Sequence, residues 1–524
     1  MQPVEELGAV TYKHHYVSLK RLIWATLAIT GLMGLLFFVV GFPPAFDTFT
    51  EKMYFHSIGI GLAALATYLI IVTFDLERRE PPLDLPLSYR AFGAVALAAL
   101  GGLVFLFPAV SRALPHVGML LFIGAFILIF DVSGALLIEL LVLPRKLAGT
   151  YRPESHNPIQ YVSRLFPLSK PDFRAYRKTG LGYWLTLCAV ASVFFAEIIG
   201  FLNLFVMEVG TSVFGHYISW LGLDRQGFLD ATLDPHSHMI AIAIMAATIG
   251  VASVAFRTMD TGTKIKRAVA GVGLGVTILG VVGTSLVLGL VAFFNYGPPT
   301  LFQSAGGVNG MAGDDAVMAI VLIGALVLSA ALLWDGSSRK DAVKVLFAAS
   351  WAGVFLLTLV EGVYIELHET VFQNSGLAKD AAYSTAHPMT GIFLLPTIAL
   401  GLLLLNYYRI EGRQRRVAGW TFGLGLGAAV VGSTLWTFAD PAKYGAAFWL
   451  YIAGTTVSYL AILATGWSIR GTTVERFERS VGMAPAPLRH AATPPGVGAG
   501  GNGAAQQVQA RQERVGSAGS VTPA

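Results

Sequence analysis

The sequence predicts an all-α polytopic membrane protein with twelve transmembrane helices in three groups of four and both termini in the cytoplasm. Three observations predict this fold class: an apolar composition, twelve apolar segments of membrane-spanning length, and a one-sided distribution of basic residues. Hydrophobic residues make up 55% of the 524 residues and charged residues 13%, whereas about 25% of a typical soluble domain is charged. The mean hydropathy of +0.64 agrees, so most of this chain is expected to face lipid or other apolar helices.

The twelve apolar segments are each long enough to cross a hydrocarbon core of about 30 Å, which takes roughly 20 helical residues. In chain order they are 21–41, 53–74, 91–111, 117–143, 181–207, 237–256, 268–294, 315–334, 345–367, 387–408, 417–437 and 445–468.

Basic residues divide unevenly between the loops. Of the 36 Lys and Arg residues, 30 lie in the termini and the even-numbered loops, and Arg21 begins the first apolar segment; the five in the odd-numbered loops are Lys52, Arg112, Arg225, Lys379 and Lys443. Positively charged loops stay on the cytoplasmic side, so both termini are predicted to be cytoplasmic in a plasma (inner) membrane. The net charge of +5 therefore reflects topology and a lipid bilayer partner, and nucleic-acid binding is not expected.

The connecting segments divide the chain into parts. Residues 1–20 form a cytoplasmic N-terminus without the features of a cleaved signal peptide. Residues 21–470 form the membrane domain, which the long loop 144–180 and the charged link 335–344 separate into groups 21–143, 181–334 and 345–468. Residues 471–524 form a cytoplasmic tail that is expected to be disordered from about residue 484, because Gly, Ala, Pro and Gln bury too little apolar surface to fold.

Histidines are concentrated on one predicted side of the membrane. Seven of the eleven lie on the outer side: His56, His116, His216, His236, His238, His368 and His387. The second helix of each group begins with one of them, at His56, His238 and His387. Ionisable side chains in spans are costly and usually functional, so imidazoles at one depth suggest a shared ligand.

His56 and His387 have small residues nearby, including Gly59, Gly61 and Gly391, which would let a flat macrocycle approach the helices. Two imidazoles on facing helices are the ligands of a six-coordinate low-spin haem. The alternative for each histidine is an interfacial hydrogen bond to a loop carbonyl.

A second cluster runs from Asp234 through His236 to His238. It predicts a Cu, Zn or Fe site that uses His238, together with His236 or Asp234. The local alternative is structural: Asp234 as the N-cap of a helix whose first residue is Pro235.

On the ninth span, Glu361, Tyr364 and His368 fall on one helical face that ends at the outer surface. Glu361 and Tyr364 could form a proton path toward a buried cofactor, and His368 could ligate a metal ion.

Other polar residues within the spans are Asp131, Glu139, Glu197 and Asn203. Isolated carboxylates of this kind serve either in proton coupling or as hydrogen-bonded links between helices. Glycine runs such as 271–275 and 423–427 are expected to allow close helix packing. The single cysteine, Cys188, excludes disulfides and thiolate metal clusters within this chain.

Twelve spans in three groups, with outer-side histidines on spans two, six and ten, resemble the haem-copper oxidase subunit I superfamily, which includes the nitric oxide reductase large subunit. The resemblance implies that His56 and His387 are the axial ligands of a low-spin haem and that His238 ligates an active-site metal. Two departures imply a degenerate or remodelled centre: the seventh span, 268–294, has no histidine, and Thr385 stands where the family has the high-spin haem ligand.

The expected function is therefore electron transfer or redox chemistry with haem b and a second metal or haem (Cu or Fe), supplied with electrons by a subunit or cytochrome on the outer side. Whether the chain is itself an enzyme is left open. Two other functions remain: a proton-coupled secondary transporter, for which two related halves of six helices are expected, and a membrane protein that handles metal or haem without turnover.

Overall fold

The computed structural model describes residues 4–40, 49–76, 86–148, 170–209, 211–294, 311–354, 389–408, 410–439, 442 and 444–472. Every regular element in these ranges is a helix, and no β-strand occurs in them. The prediction of an all-α protein is confirmed for this part of the chain. The predicted disordered tail from about residue 484 lies outside it.

Sixteen α-helices and one π-helical turn follow each other along the described ranges. They are α1 (Val4–Val40), α2 (Phe49–Phe74), α3 (Leu87–Leu106), α4 (Pro108–Ala113), α5 (Pro115–Leu147), α6 (Lys170–Arg177), α7 (Leu181–Val209), α8 (Thr211–Trp220), α9 (Arg225–Ala255), α10 (Lys264–Phe294), α11 (Met311–Leu332), α12 (Gly336–Arg339), α13 (Ala342–Val354), the π-helical turn Met389–Leu394, α14 (Leu395–Tyr407), α15 (Gly412–Phe438) and α16 (Ala446–Arg470).

Ten of the helices in the described residues are long and apolar enough to cross a membrane: α1, α2, α3, α5, α7, α9, α10, the π-helical turn with α14, α15 and α16. Two further apolar stretches, Val317–Leu332 in α11 and Ala342–Gly353 in α13, are shorter. Each of the twelve apolar segments predicted from the sequence overlaps one of these helices, although the ninth extends beyond Val354 into residues that are not described.

The start of α9 differs from the prediction. Asp224 is the N-cap, and its Oδ1 accepts a hydrogen bond from the backbone N–H of Gly227 at 2.7 Å. Pro235 consequently lies inside the helix, so the expected N-cap at Asp234 is wrong. The first turns of α9 are polar, and a hydropathy profile therefore places the start of the apolar segment well after the start of the helix.

The long helices close into a ring. The fourth helix of each sequence group packs on the first helix of the next group: α5 on α7, α11 on α13, and α16 on α1. Lys20 of α1 stabilises the contact between α16 and α1. Its Nζ donates to the carbonyl oxygens of Arg470 at 3.2 Å and Thr472 at 2.9 Å, which lie at the C-terminal end of α16.

The second helices of the three groups form the centre of this ring. The helices α2, α9 and α14 contact one another. Between 78 and 88% of their apolar windows is buried, against 33–50% for the other seven candidate spans. Side chains on these three helices are therefore shielded from lipid by the surrounding helices.

Glycines bring α15 and α16 into backbone contact. A Cβ added at Gly432 would lie 2.3 Å from the backbone nitrogen of Tyr451, and one at Gly454 would lie 2.2 Å from that of Ala429. Gly425, from the predicted packing run, likewise faces Ser458, whereas Gly427 in the same run has open space. Only some of the glycines in that run thus serve the helix contact.

Candidate functional site

The candidate site lies at the end of the bundle where α2 and α9 enter the core. His56 and His236 meet there between these two central helices. The end of α3 and the start of α5 pack at the same end, since Gly118 faces Phe105.

The imidazole rings of His56 and His236 form a close pair. Their centroids are 6.4 Å apart and their planes differ by 24°. Offset aromatic pairs have centroid distances of about 4.5–7 Å. Two imidazoles that share one metal ion, with metal–nitrogen bonds of about 2.0–2.1 Å, have centroids about 5–6.5 Å apart. The observed separation fits both arrangements.

Two phenylalanines of α5 border His56. The ring of Phe126 lies edge-on at a centroid distance of 5.2 Å, and that of Phe122 lies edge-on at 6.4 Å. On this side, the His56 ring therefore packs against the edges of two apolar rings.

His236 is held in one orientation by α7. Its Nδ1 lies 2.8 Å from the carbonyl oxygen of Ala196. A carbonyl only accepts, so Nδ1 carries the hydrogen and donates it. In the neutral ring, Nε2 then keeps its lone pair. Metal-ligating histidines commonly have this arrangement, with the second ring nitrogen bound to a carbonyl or carboxylate.

Gly200 makes room for the His236 ring. A Cβ at this position would lie 2.4 Å from Cε1 and 2.7 Å from Nδ1 of His236. Because both atoms belong to a rigid ring, no larger residue fits unless the imidazole moves. Ala196 and Gly200 are one helical turn apart, so together they form the seat of the ring on α7.

A buried polar seam continues along α7. Glu197, which is 8% exposed, accepts a hydrogen bond from the Ser133 hydroxyl of α5. Asn203 donates through Nδ2 to Thr232 Oγ1 at 2.8 Å and to the carbonyl oxygen of Leu229 at 3.2 Å, both on α9. The site therefore combines two imidazoles with a carboxyl group and hydroxyls in an otherwise apolar interior.

His238 is half-buried and lies in the same continuous helix as His236. Two residues along an α-helix turn by about 200°, since each turn has 3.6 residues. The two side chains therefore leave α9 on nearly opposite sides. Within the described residues, no three His, Cys, Asp or Glu side chains are grouped to hold a metal ion.

The remaining predicted site residues, Glu361, Tyr364, His368 and His387, lie outside the described residues. The pairing of His56 with His387 therefore stays a prediction. Phe393, six residues after His387, stacks on Phe55 with ring centroids 5.3 Å apart. The segment that follows His387 thus packs beside His56.

Two of the carboxylates that the sequence presents as isolated are ion-paired. Asp131 Oδ2 lies 2.5 Å from Nη1 of Arg90, and Glu139 Oε2 lies 2.9 Å from Nζ of Lys146. The interpretation as isolated carboxylates is wrong for both, because each has a basic partner on the neighbouring helix or two turns along its own helix. The third acidic residue, Glu197, differs from Asp131 and Glu139 because its partner is the buried hydroxyl of Ser133.

Sequence reasoning missed the carbonyl of Ala196 and the glycine at 200, which position His236, and Ser133, which is the hydrogen-bond partner of Glu197. One signal was present in the sequence. Glu197, Gly200 and Asn203 are spaced three residues apart, which places them on one face of α7.

Comparison of the sequence with protein-family models, with curated proteins and with solved structures gives no match.

Proposed function

We propose that this chain is a twelve-helix integral protein of the plasma membrane, with both termini cytoplasmic, that binds haem b and takes part in electron transfer. In this proposal it is a divergent relative of the haem-copper oxidase subunit I superfamily with a remodelled second metal centre. The observation that carries the proposal is the meeting of His56 and His236 between two central helices, with the Nδ1–H of His236 committed to the Ala196 carbonyl.

The helix arrangement supports this assignment over a secondary transporter. A transporter of this size is expected to have two related halves of six helices. Here the neighbour contacts repeat every four apolar helices, when the ten candidate spans and the shorter helices α11 and α13 are taken together, and the second helix of each set lies at the centre. In a three-group arrangement, ligands on the second helices converge near the axis of the bundle.

The imidazoles of this site would hold a haem. His56 would supply one ligand, and the second would be either His387, which the family resemblance implies, or His236, which lies beside His56 with Nε2 available. A haem held this way accepts and releases one electron at a time. The chain itself orients the imidazole through Ala196 and keeps apolar rings around His56.

Other residues of the proposal serve a second centre. His238 and His368 are the proposed ligands of a Cu or Fe ion, and Glu361 with Tyr364 the proposed proton path. Within the described core, Glu197 and Ser133 add a hydrogen-bonded pair beside the His236 seat, and a carboxyl group can take up and release a proton. An electron-donating subunit or cytochrome on the outer side completes the proposal.

The test is a reduced-minus-oxidised visible spectrum of the purified protein with haem quantified per chain. We expect b-type bands in the wild type and their loss in His56→Ala. Loss in His236→Ala or in His387→Ala then identifies the second ligand. His116→Ala is the matched control, because His116 is exposed at the same end of the bundle. A colourless protein, or bands that survive His56→Ala, would overturn the proposal.

A second candidate is metal handling without turnover. The centroid distance of 6.4 Å between the two imidazoles also suits a single copper ion bound by two nitrogens, without a macrocycle. This function predicts about one metal ion per chain in elemental analysis, absent haem bands, and loss of the metal in both His56→Ala and His236→Ala.

A further inference from the structure

A cavity of about 580 Å³ lies at the end of the bundle opposite the two histidines. The end of α9 and the start of α10 form one wall, α12 and the start of α13 form a second, and the start of α15 forms a third. Its volume falls within the range of about 300–1,000 Å³ that is usual for small-molecule sites. The basic loops predicted to face the cytoplasm surround it.

Two ion pairs hold the walls of this cavity together. Lys266 of α10, with a side chain only 4% exposed, pairs with Asp335 after α11. Arg415 of α15 pairs through Nη2 with Asp341 Oδ1 before α13 at 2.7 Å. Each pair joins two elements that are distant in the sequence, and within each pair the two opposite charges largely cancel. The pairs therefore stabilise the cavity walls, and a ligand would bind to other groups.

Lys344 also lines the cavity, and it forms no ion pair with a carboxylate of the described residues. Its Nζ lies 3.4 Å from the Ser338 hydroxyl and 5.8 Å from the centroid of the Phe256 ring. The lysine is half-buried and lines the cavity. A partly dehydrated ammonium with only a long hydroxyl contact and an aromatic face gains from an anion within the cavity.

Arg257 adds a second cation from the α9 side. Its backbone has a φ of 52°, which turns the chain sharply after the end of α9. Its Nε is 3.7 Å from Asp260 Oδ2, too long for a hydrogen bond, and both side chains are well exposed. Four basic and three acidic residues line the cavity, and the acidic residue outside the two ion pairs is Glu411, so the lining has a formal net charge of +1.

We propose that this cavity binds a phosphate group, carried either by a small soluble molecule or by a lipid headgroup. Lys344 is the central cation, Arg257 the peripheral one, and the hydroxyl of Ser338, which accepts from Lys344, supplies a further donor. A tetrahedral anion suits this set because the donors approach from different walls, and lysine is a common phosphate ligand as a point charge. The proposal is independent of the haem assignment.

The experiment measures binding of inorganic phosphate to the detergent-purified full chain by titration calorimetry at constant ionic strength. We expect saturable binding to the wild type and at least tenfold weaker binding to Lys344→Met, because the substitution keeps the length of the side chain and removes its charge. Lys340→Met is the matched control, since Lys340 is exposed and lies outside the cavity lining. Its affinity should equal that of the wild type.

Arg257→Met is a second variant for the same calorimetric titration, and its result does not depend on whether the Lys344 variant folds. Its affinity for phosphate should also be weaker than that of the wild type. Parallel titrations with glycerol 3-phosphate and with short-chain phosphatidic acid distinguish the sources. Tighter binding of phosphatidic acid identifies a lipid headgroup, and equal binding identifies a soluble phosphate compound. Absent binding of all three probes, or equal weakening by Lys340→Met, would overturn the proposal.

Discussion

The position of the His236 imidazole depends on Gly200, because any side chain at residue 200 would collide with the ring. An added Cβ at Gly200 would lie 2.4 Å from Cε1 of His236, and a rigid ring cannot yield as a flexible chain would. The Ala196 hydrogen bond and the contact with His56 both require the ring to stay in place. Function at this site is therefore sensitive to a residue that carries no functional group.

We expect Gly200→Ala to destabilise the protein by about 1–3 kcal/mol, the usual cost of overpacking a filled core. It should also weaken the haem or metal signal of the histidine pair, because the displaced ring loses its bond to Ala196. Thermal unfolding in detergent and the visible spectrum measure the two effects. Gly275→Ala is the control, since a Cβ there has nothing within 4 Å. Equal melting temperatures of the two variants would contradict the argument.

Ser133 has a comparable role toward a carboxyl group. Its hydroxyl is the described partner of Glu197, which is 8% exposed. Ser133→Ala should lower the free energy of unfolding by about 1–3 kcal/mol, because a buried polar group then lacks a partner. The comparison is Ser468→Ala, because the Ser468 hydroxyl is exposed and donates to the carbonyl oxygen of Ala464 in its own helix. The argument fails if both substitutions have the same small effect in chemical denaturation.

At the scale of helices, hydropathy predicted where the apolar segments lie but not where every helix begins. The start of α9 shows why. Asp224 and Gly227 cap the helix outside the apolar segment, so the helix includes Pro235 and separates His236 from His238 by a fixed rotation. A hydropathy pattern detects only the apolar part of a helix and misses polar turns that precede it. The expected N-cap at Asp234 was wrong for that reason.

The contact between α15 and α16 tests whether glycines fix helix positions. We expect Gly454→Ala to destabilise the protein by at least as much as a typical overpacked core position, about 1–3 kcal/mol. The obstruction is backbone, at 2.2 Å from the nitrogen of Ala429, and cannot rotate away. Gly427→Ala, on α15 with nothing within 4 Å, should leave the melting temperature unchanged or slightly higher. A reversed order of the two variants would show that the helices do not approach this closely.

For the whole molecule, the sequence predicted the all-helical class and the positions of the twelve apolar segments. It did not predict which helices lie at the centre of the bundle, because that depends on how the helices pack. Hydropathy treats α2, α9 and α14 like any other span, although they are the most buried of the candidate spans. The histidines at the predicted outer ends of these three segments distinguished them from the other spans in the sequence. The neighbour of His56 was nevertheless not predictable, because the encounter with His236 depends on the relative rotation of α2 and α9.

The orientation in the membrane is the remaining prediction at this scale, and two adjacent loops can test it. Arg225 begins α9 and Lys264 begins α10, and both side chains are exposed. The positive-inside rule places residue 225 outside and residue 264 in the cytoplasm. In a background without Cys188, a membrane-impermeant maleimide should label Arg225→Cys in intact cells, and Lys264→Cys only after lysis. The reverse pattern would invert the topology, placing the phosphate cavity outside and the histidine pair at the cytoplasmic end.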